Sequence, residues 1–213
     1  MGLLRFRKWL GLSLGLAVPG LLAWPATGRA PGTREKGQAI ARPTALAQNL
    51  EGRMVEPAEI FAGRPTVLIF MRTDCPISNR YAPVIEKLFQ TYGLRVRFWL
   101  VYPDAKETAA QISAHQKEFH LSAAPLRDIH LRLASLAGAT MTPEAAVFNR
   151  GARLIYHGRI DNLYIDATRA RANPTSNDLE DAIRASLAGK SVTPDHTAAV
   201  GCYIADVAEK PAP

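Results

Sequence analysis

Apolar runs alternate with amphipathic segments in the first half of the globular region. Residues 66–71, "TVLIFM", form a short run rich in β-branched and aromatic side chains, which predicts a buried strand. Apolar positions recur at helical spacing in residues 77–92, which predicts an amphipathic helix that ends at Gly93. Residues 94–101 predict a second strand, and residues 106–119 predict a second helix. The order is therefore β, α, β, α.

The second half predicts a hairpin and a closing helix. Residues 145–148 and 154–160 are two short strands separated by "NRGAR", a turn that makes the pair antiparallel. Asn177 and Glu180 have the spacing of a capping box for a last helix, which ends at Gly189. These elements predict one α/β domain, a three-layer arrangement with a central mixed sheet and helices on both faces.

The first residues are typical of an export signal. Three basic residues precede an almost purely apolar run at residues 9–24, and small residues follow, so residues 1–28 are expected to be a cleaved signal peptide. The alternative is an uncleaved membrane anchor, because the run approaches the length that spans a bilayer. Export would place the protein in a periplasmic or other extracytoplasmic, oxidising compartment.

Composition divides the remainder of the chain. Residues 29–48 are rich in Pro, Gly and charge and predict a flexible lead-in. We expect the globular domain at residues 49–189 and a C-terminal tail carrying Cys202 at residues 190–213. Contact with a membrane is expected only if the N-terminal segment stays uncleaved.

The net charge gives no reason to expect a nucleic-acid partner. The formal charge is +7, but the first 29 residues hold four basic residues and no acidic one, so the remainder carries +3. Its basic residues are scattered and not interleaved with aromatic residues in one patch. A solvated surface explains them better than a nucleic-acid site.

The candidate chemistry centres on Cys75, one of two cysteines in the chain. Cys75 lies between the first predicted strand and the first predicted helix, where unpaired amides and the helix dipole favour a thiolate. Its pKa should fall below the free value of about 8.5, and Arg72 would lower it further. Asp74 would oppose this if its carboxylate faced the sulfur. The pKa of Cys202 is expected to stay near the free value.

Three stretches carry a resemblance to a known family: "RPTVLIFMRTDCP", "TPEAAVFNRGARLIYHGRID" and "AVGCYI". Together with the order of elements, they resemble the thioredoxin fold in its exported redoxin branch, related to the AhpC/TSA and TlpA-type proteins. The resemblance implies a cis bond between Thr142 and Pro143, facing the nucleophile, with the backbone before the proline binding the substrate strand. Arg72, Thr73 and Pro76, around Cys75, are the further expected substrate-binding residues.

The chain also departs from the pattern of this family. Ser78 stands where the usual redox pair has its second cysteine, so no local disulfide can close. The peroxiredoxin pattern has Thr or Ser three residues before the nucleophile, where this chain has Arg72, and Thr73 is one residue too close. Cys202 is therefore the candidate resolving thiol, in a tail long enough to return to the edge of the sheet.

These residues predict an exported thiol-disulfide oxidoreductase with weak peroxidase activity at most. Cys75 would attack a protein disulfide or a hydroperoxide, and Cys202 would resolve the adduct as a Cys75–Cys202 disulfide. An antioxidant role of the peroxiredoxin type is included in this hypothesis. No cofactor or metal is expected, and the sequence does not identify the electron donor.

Two alternatives remain open at this stage. A permanent Cys75–Cys202 disulfide would pin the tail and stabilise the fold by about 4 to 5 kcal/mol in the entropic model. An SCO-like copper protein would use both thiols and one histidine, with His157 and His196 as candidates. The other histidines, His115, His120 and His130, are expected on helix surfaces or partly buried.

Overall fold

The computed structural model describes residues 46–204. The predicted signal peptide and most of the predicted lead-in fall on residues 1–45, outside the described residues. No helix among the described residues is long and apolar enough to cross a membrane.

Within the described residues, nine strands and five helices build the fold. The strands are β1 (Ala47–Gln48), β2 (Met54–Val55), β3 (Thr66–Phe70), β4 (Arg97–Tyr102), β5 (Ala124–Arg127), β6 (Met141–Thr142), β7 (Glu144–Phe148), β8 (Leu154–Gly158) and β9 (Cys202–Tyr203). The helices are α1 (Pro57–Phe61), α2 (Pro76–Tyr92), α3 (Ala109–Glu118), α4 (Arg132–Ala137) and α5 (Asp178–Leu187).

Seven strands form one mixed sheet in the order β2-β1-β5-β4-β3-β7-β8. Strands β3, β4 and β5 run parallel, whereas β7 and β8 form the predicted antiparallel hairpin. Strand β7 also pairs antiparallel with β3, the central strand that leads to Cys75. Strands β6 and β9 form a separate two-stranded sheet.

Strand β3 contributes to both layers of the core. Val67 and Ile69 pack in a cluster with buried residues of α2, α3 and α5, and Leu68 and Phe70 pack in a second cluster with residues of α1 and α4. Side chains alternate between the two faces of a strand, so a strand covered on both faces needs an unbroken apolar run. This explains the apolar "TVLIFM" sequence. Packing on both faces fixes the end of β3, which leads to Cys75.

The predicted mixed sheet with helices on both faces is confirmed, with small shifts of bounds. Strand β4 begins at Arg97 and not at residue 94, because Leu94 is 94% exposed in the turn after α2. Helix α3 begins at Ala109 because Thr108 caps it, accepting a hydrogen bond from the backbone amide of Gln111. The hairpin strand β8 ends at Gly158, two residues earlier than predicted.

The capping box predicted for the last helix was wrong. Asn177 occupies the N-cap position of α5, but its side chain makes no capping hydrogen bond. The carboxylate of Glu180 instead accepts hydrogen bonds from the Tyr92 hydroxyl, at 2.8 Å, and from Arg184, at 2.7 Å. The side chain of Glu180 therefore contacts Tyr92 of α2 and does not complete a capping box with Asn177.

Candidate functional site

Cys75 lies between β3 and α2, at the N-cap position of α2. Its backbone is extended, with φ −87° and ψ 111°, and its carbonyl accepts the first helical hydrogen bond, from the amide of Asn79 at 3.0 Å. Pro76 is the first residue of the helix, a position that suits proline because that amide would have no helical partner. Cys75 is fully buried, so its sulfur faces the helix amides and not bulk water.

Cys202 lies beside Cys75, on β9. The two sulfur atoms are 2.8 Å apart, with the thiol of Cys202 donating to the sulfur of Cys75. Both cysteines are present as free thiols. The C-terminal segment first runs along the edge strand β8, where His196 forms a parallel bridge with His157. It then returns to β6, next to the thiol site.

The segment before Pro143 forms the third side of the site. The Thr142-Pro143 bond is cis, as the resemblance implies. The carbonyl of Thr142 accepts a hydrogen bond from the Cys75 thiol at 3.2 Å, and its hydroxyl donates to the carbonyl of Cys202 at 3.3 Å. The Thr142-Pro143 segment thus touches both cysteines.

The two thiols differ in acidity because their surroundings differ. Burial raises the pKa of Cys75, but the hydrogen bond from Cys202 and the backbone amides of Ser78 and Ile77 together outweigh it, so the pKa is lowered overall. Burial raises the pKa of Cys202 to about 11, and its hydrogen bond to Cys75 and the charge of Cys75 contribute further. The expectation that Cys202 keeps an ordinary pKa was wrong.

Comparison with known proteins places this geometry in a fold. No family model matches the chain, and no curated protein matches it. Solved structures do match. A hypothetical protein from Sinorhizobium meliloti 1021 is 23% identical, with a TM-score of 0.64, over 76% of this chain and 92% of that one.

Two further structures agree. An uncharacterized conserved protein from Geobacillus kaustophilus is 21% identical, with a TM-score of 0.63, over 81% of this chain and 92% of that one. A candidate thioredoxin from Neisseria meningitidis is 18% identical, with a TM-score of 0.50, over 67% of this chain and 89% of that one. The chain has a thioredoxin-like fold. At these identities the matches show the fold alone.

In this thioredoxin-like chain, Arg72 is paired with carboxylates and not with the sulfur of Cys75. Its guanidinium lies 2.9 Å from the carboxylate of Asp74 and 3.3 Å from that of Asp104. Its charge lowers the pKa of Cys202, whereas that of Asp74 raises it. We expected Arg72 and Asp74 to have opposite effects on the pKa of Cys75, but these opposite effects fall on the pKa of Cys202.

A chain of hydrogen bonds supports the loop before Cys75. The Tyr102 hydroxyl lies 3.0 Å from Nδ1 of His115, and Nε2 of His115 lies 2.8 Å from the amide oxygen of Asn79. The amide nitrogen of Asn79 then donates to the carbonyl of Thr73 at 3.2 Å. His115 is buried, more deeply than expected, and its burial lowers its pKa.

Glu107 is a site residue that the sequence analysis missed. One carboxylate oxygen accepts a hydrogen bond from the amide of Thr73 at 2.6 Å. The other is buried and has no hydrogen-bond partner among the described residues. Burial raises the pKa of Glu107. Thr73 lies two residues before Cys75, so this hydrogen bond from Thr73 to Glu107 fixes the loop that carries Cys75.

We expect Glu107→Gln to flatten the pH dependence of stability. The raised pKa means that the folded state binds this proton more tightly than the unfolded state does. The contribution of Glu107 to the free energy of unfolding should therefore fall as pH rises above about 4.5, by at most about 1.4 kcal/mol per pH unit. Urea unfolding from pH 4.5 to 7 measures this slope. The exposed Glu51→Gln variant is the control, and identical slopes for wild type and Glu107→Gln would contradict the prediction.

The histidines that the copper alternative invoked lie together, on β8 and the segment beside it. The rings of His157 and His196 are tilted by 43°, with centroids 4.3 Å apart. Nδ1 of His157 lies 3.4 Å from the buried carboxylate of Glu144. Glu144 also accepts hydrogen bonds from the amides of Thr140 and Met141. Among residues 46–204, no group of three metal-binding side chains could hold an ion.

Proposed function

We propose that the protein is a thiol-disulfide oxidoreductase in which Cys75 is the nucleophile and Cys202 is the resolving partner. One observation carries this proposal: two free thiols, 2.8 Å apart, have pKa values displaced in opposite directions. Nucleophile and partner need such a difference, because only the first must be ionised when the substrate arrives. The export signal predicted at residues 1–28 would place this chemistry outside the cytoplasm.

The first step is attack on a disulfide. The thiolate of Cys75 forms a new sulfur–sulfur bond with one substrate sulfur, and the other substrate sulfur leaves as a thiolate and takes a proton from water. The amides of Ile77 and Ser78 and the thiol of Cys202 stabilise the attacking thiolate. A thiolate cannot donate to the Thr142 carbonyl, so ionisation frees that backbone acceptor at the moment a substrate strand needs it.

The second step releases the substrate. Cys202 loses its proton and attacks the sulfur of Cys75, forming Cys75–Cys202 and expelling the substrate sulfur that was bound to Cys75, which then takes up a proton. Two of the causes that raise the pKa of Cys202 are its hydrogen bond to Cys75 and the charge of Cys75. Both disappear once Cys75 is bound to the substrate, so Cys202 becomes more acidic when it is needed.

A permanent disulfide and a copper site are weaker explanations. A structural disulfide does not require that one of its cysteines has a lowered pKa, whereas the pKa of Cys75 is lowered. The His157–His196 pair contacts Glu144, not the thiols, in the contacts that the structure shows. A hydroperoxide could replace the disulfide in the first step: its O–O bond breaks, Cys75 becomes a sulfenate, and the leaving oxygen departs as an alcohol, or as water from hydrogen peroxide. Arg72, however, is paired with Asp74 and Asp104.

The pH dependence of alkylation tests the proposal. In reduced wild-type protein, iodoacetamide should modify Cys75 with a pKa below 8.5 and Cys202 only at much higher pH, with the two followed separately by peptide mass spectrometry. The Cys75→Ser variant should leave a single slow thiol. An unshifted Cys75, reacting in parallel with Cys202, would contradict the assignment.

A further inference from the structure

The segment Gly201–Ile204 occupies the edge of β6 as an added strand. Met141 pairs with Tyr203 and Thr142 pairs with Cys202 in antiparallel register. The amide of Ile204 donates to the carbonyl of Thr140 at 2.9 Å, which extends the pairing by one residue. This edge lies directly against Cys75, whose thiol contacts the carbonyl of Thr142. An extended peptide carrying a sulfur is therefore already bound where the proposed reaction takes place.

Each position of this segment meets a different surface. A Cβ atom at Gly201 would lie 2.1 Å from the carbonyl oxygen of Thr142, so only glycine fits before the cysteine. Tyr203 is 68% exposed and points away from the core. Ile204 is buried, in the cluster that contains Val101 and Leu133.

An open cavity of about 140 Å³ continues from this buried position. The residues that line it include Arg72, Asp104, Lys106, Leu131, Tyr203 and Ile204. It thus lies beside both the loop of the nucleophile and the end of β9. A bound segment longer than Gly201–Ile204 would have room to extend along it.

We propose that Gly201–Ile204 is an internal copy of the substrate, and that partner proteins dock by presenting an extended segment of the same pattern. The pattern is a glycine or other minimal residue, the reacting cysteine, an unrestricted residue and a branched apolar residue. This inference rests on the proposed function and specifies its substrate class. A partner segment takes the place of β9 on β6, because both need the carbonyl of Thr140 and the same strand edge at Met141 and Thr142. While the partner is bound, the amides of Ile77 and Ser78 stabilise the thiolate without Cys202, which returns with β9 for the second step.

The reaction with such a segment is a disulfide exchange. The Cys75 thiolate attacks the peptide cysteine of a mixed disulfide, the bond between the peptide and its leaving thiolate breaks, and the peptide becomes bound to Cys75. One disulfide is broken and one is formed, so no further oxidant or reductant is needed. A coloured leaving group, thionitrobenzoate, reports the step directly.

The test uses the full chain with Cys202→Ser, so that Cys75 is the sole thiol and its adduct persists. Three synthetic peptides carry the same thionitrobenzoate disulfide: AVGCYI, AVVCYI and AVGCYD. We expect AVGCYI to react roughly tenfold faster than either altered peptide, the discrimination typical of one apolar pocket or one steric exclusion. The second variant, Cys202→Ser with Ile204→Ala, weakens the competing strand and should react faster still with AVGCYI. In guanidinium chloride the three rates should converge.

The outcomes separate this inference from the function on which it rests. If Cys75 reacts with free dithionitrobenzoate but shows equal rates for the three peptides in both variants, the substrate pattern is overturned and the oxidoreductase stands. Failure of both variants to react with any peptide, while the small disulfide reacts, also overturns the pattern. If Cys75 reacts with no disulfide at all, the proposed function itself fails.

Discussion

Cys75→Ser should abolish turnover of a protein disulfide, lowering the rate by about a thousandfold or more. The hydroxyl of serine does not ionise in the pH range of the assay and cannot form a sulfur–sulfur bond, so removal of the nucleophile removes the first step and everything after it. The helix amides that lower the pKa of Cys75 have no thiolate to stabilise in this variant. Reduction of a fluorescent disulfide substrate, followed with wild type and variant at equal concentration, measures the loss.

The matched variant Cys202→Ser should stop the cycle one step later. Its first turnover should keep a rate within about threefold of wild type, since the helix is unchanged and the serine hydroxyl replaces the thiol of Cys202 as donor to the sulfur of Cys75. It should then stall as a Cys75–substrate adduct. Mass spectrometry of acid-quenched samples should find this adduct in stoichiometric amount. If both variants retain full activity, or if wild type has none, the pair is better described as a structural disulfide.

The sequence predicted the elements that are long and periodic. Strand β3 is an unbroken apolar run that is buried on both faces, and helix α2 has apolar residues at helical spacing. Cys75 lies at the junction of these two elements. Strands β1 and β2, with two residues each, and helix α1, with five, are too short to show a period. They close one edge of the sheet through tertiary contacts that single-sequence patterns do not encode.

The sequence singled out the cysteines and the proline that the structure brings together, but not the polar groups that support them. Glu107 lies 34 positions from Thr73 in the chain, and nothing in "DAKET" marks that carboxylate as buried. The raised pKa of Cys202 was likewise missed, because it depends on the burial of β9 and on the charge of Cys75. Both effects arise from long-range packing, which a motif search does not reveal.

The close approach at Gly201 provides a way to separate the two chemical steps. We expect Gly201→Ala to slow the release of substrate by about a hundredfold, because displacement of a reacting group by about 1 Å can cost that much. The added Cβ would lie 2.1 Å from the carbonyl oxygen and 2.7 Å from the carbonyl carbon of Thr142, so a backbone segment must shift. Because Cys202 is the next residue, the shift moves its sulfur from its position 2.8 Å from that of Cys75.

The first step should survive in the same variant. The amides of Ile77 and Ser78, which stabilise the thiolate of Cys75, belong to α2 and not to β9, so the rate of attack should fall far less than the rate of release. Gly151→Ala is the control, since its Cβ would meet only the side chain of Asn149, at 3.4 Å. Rapid acid quenching followed by mass spectrometry measures both steps, and circular dichroism shows whether the fold is kept. An unchanged rate of release in a folded Gly201→Ala protein would show that the contact between β9 and Thr142 does not position the resolving thiol.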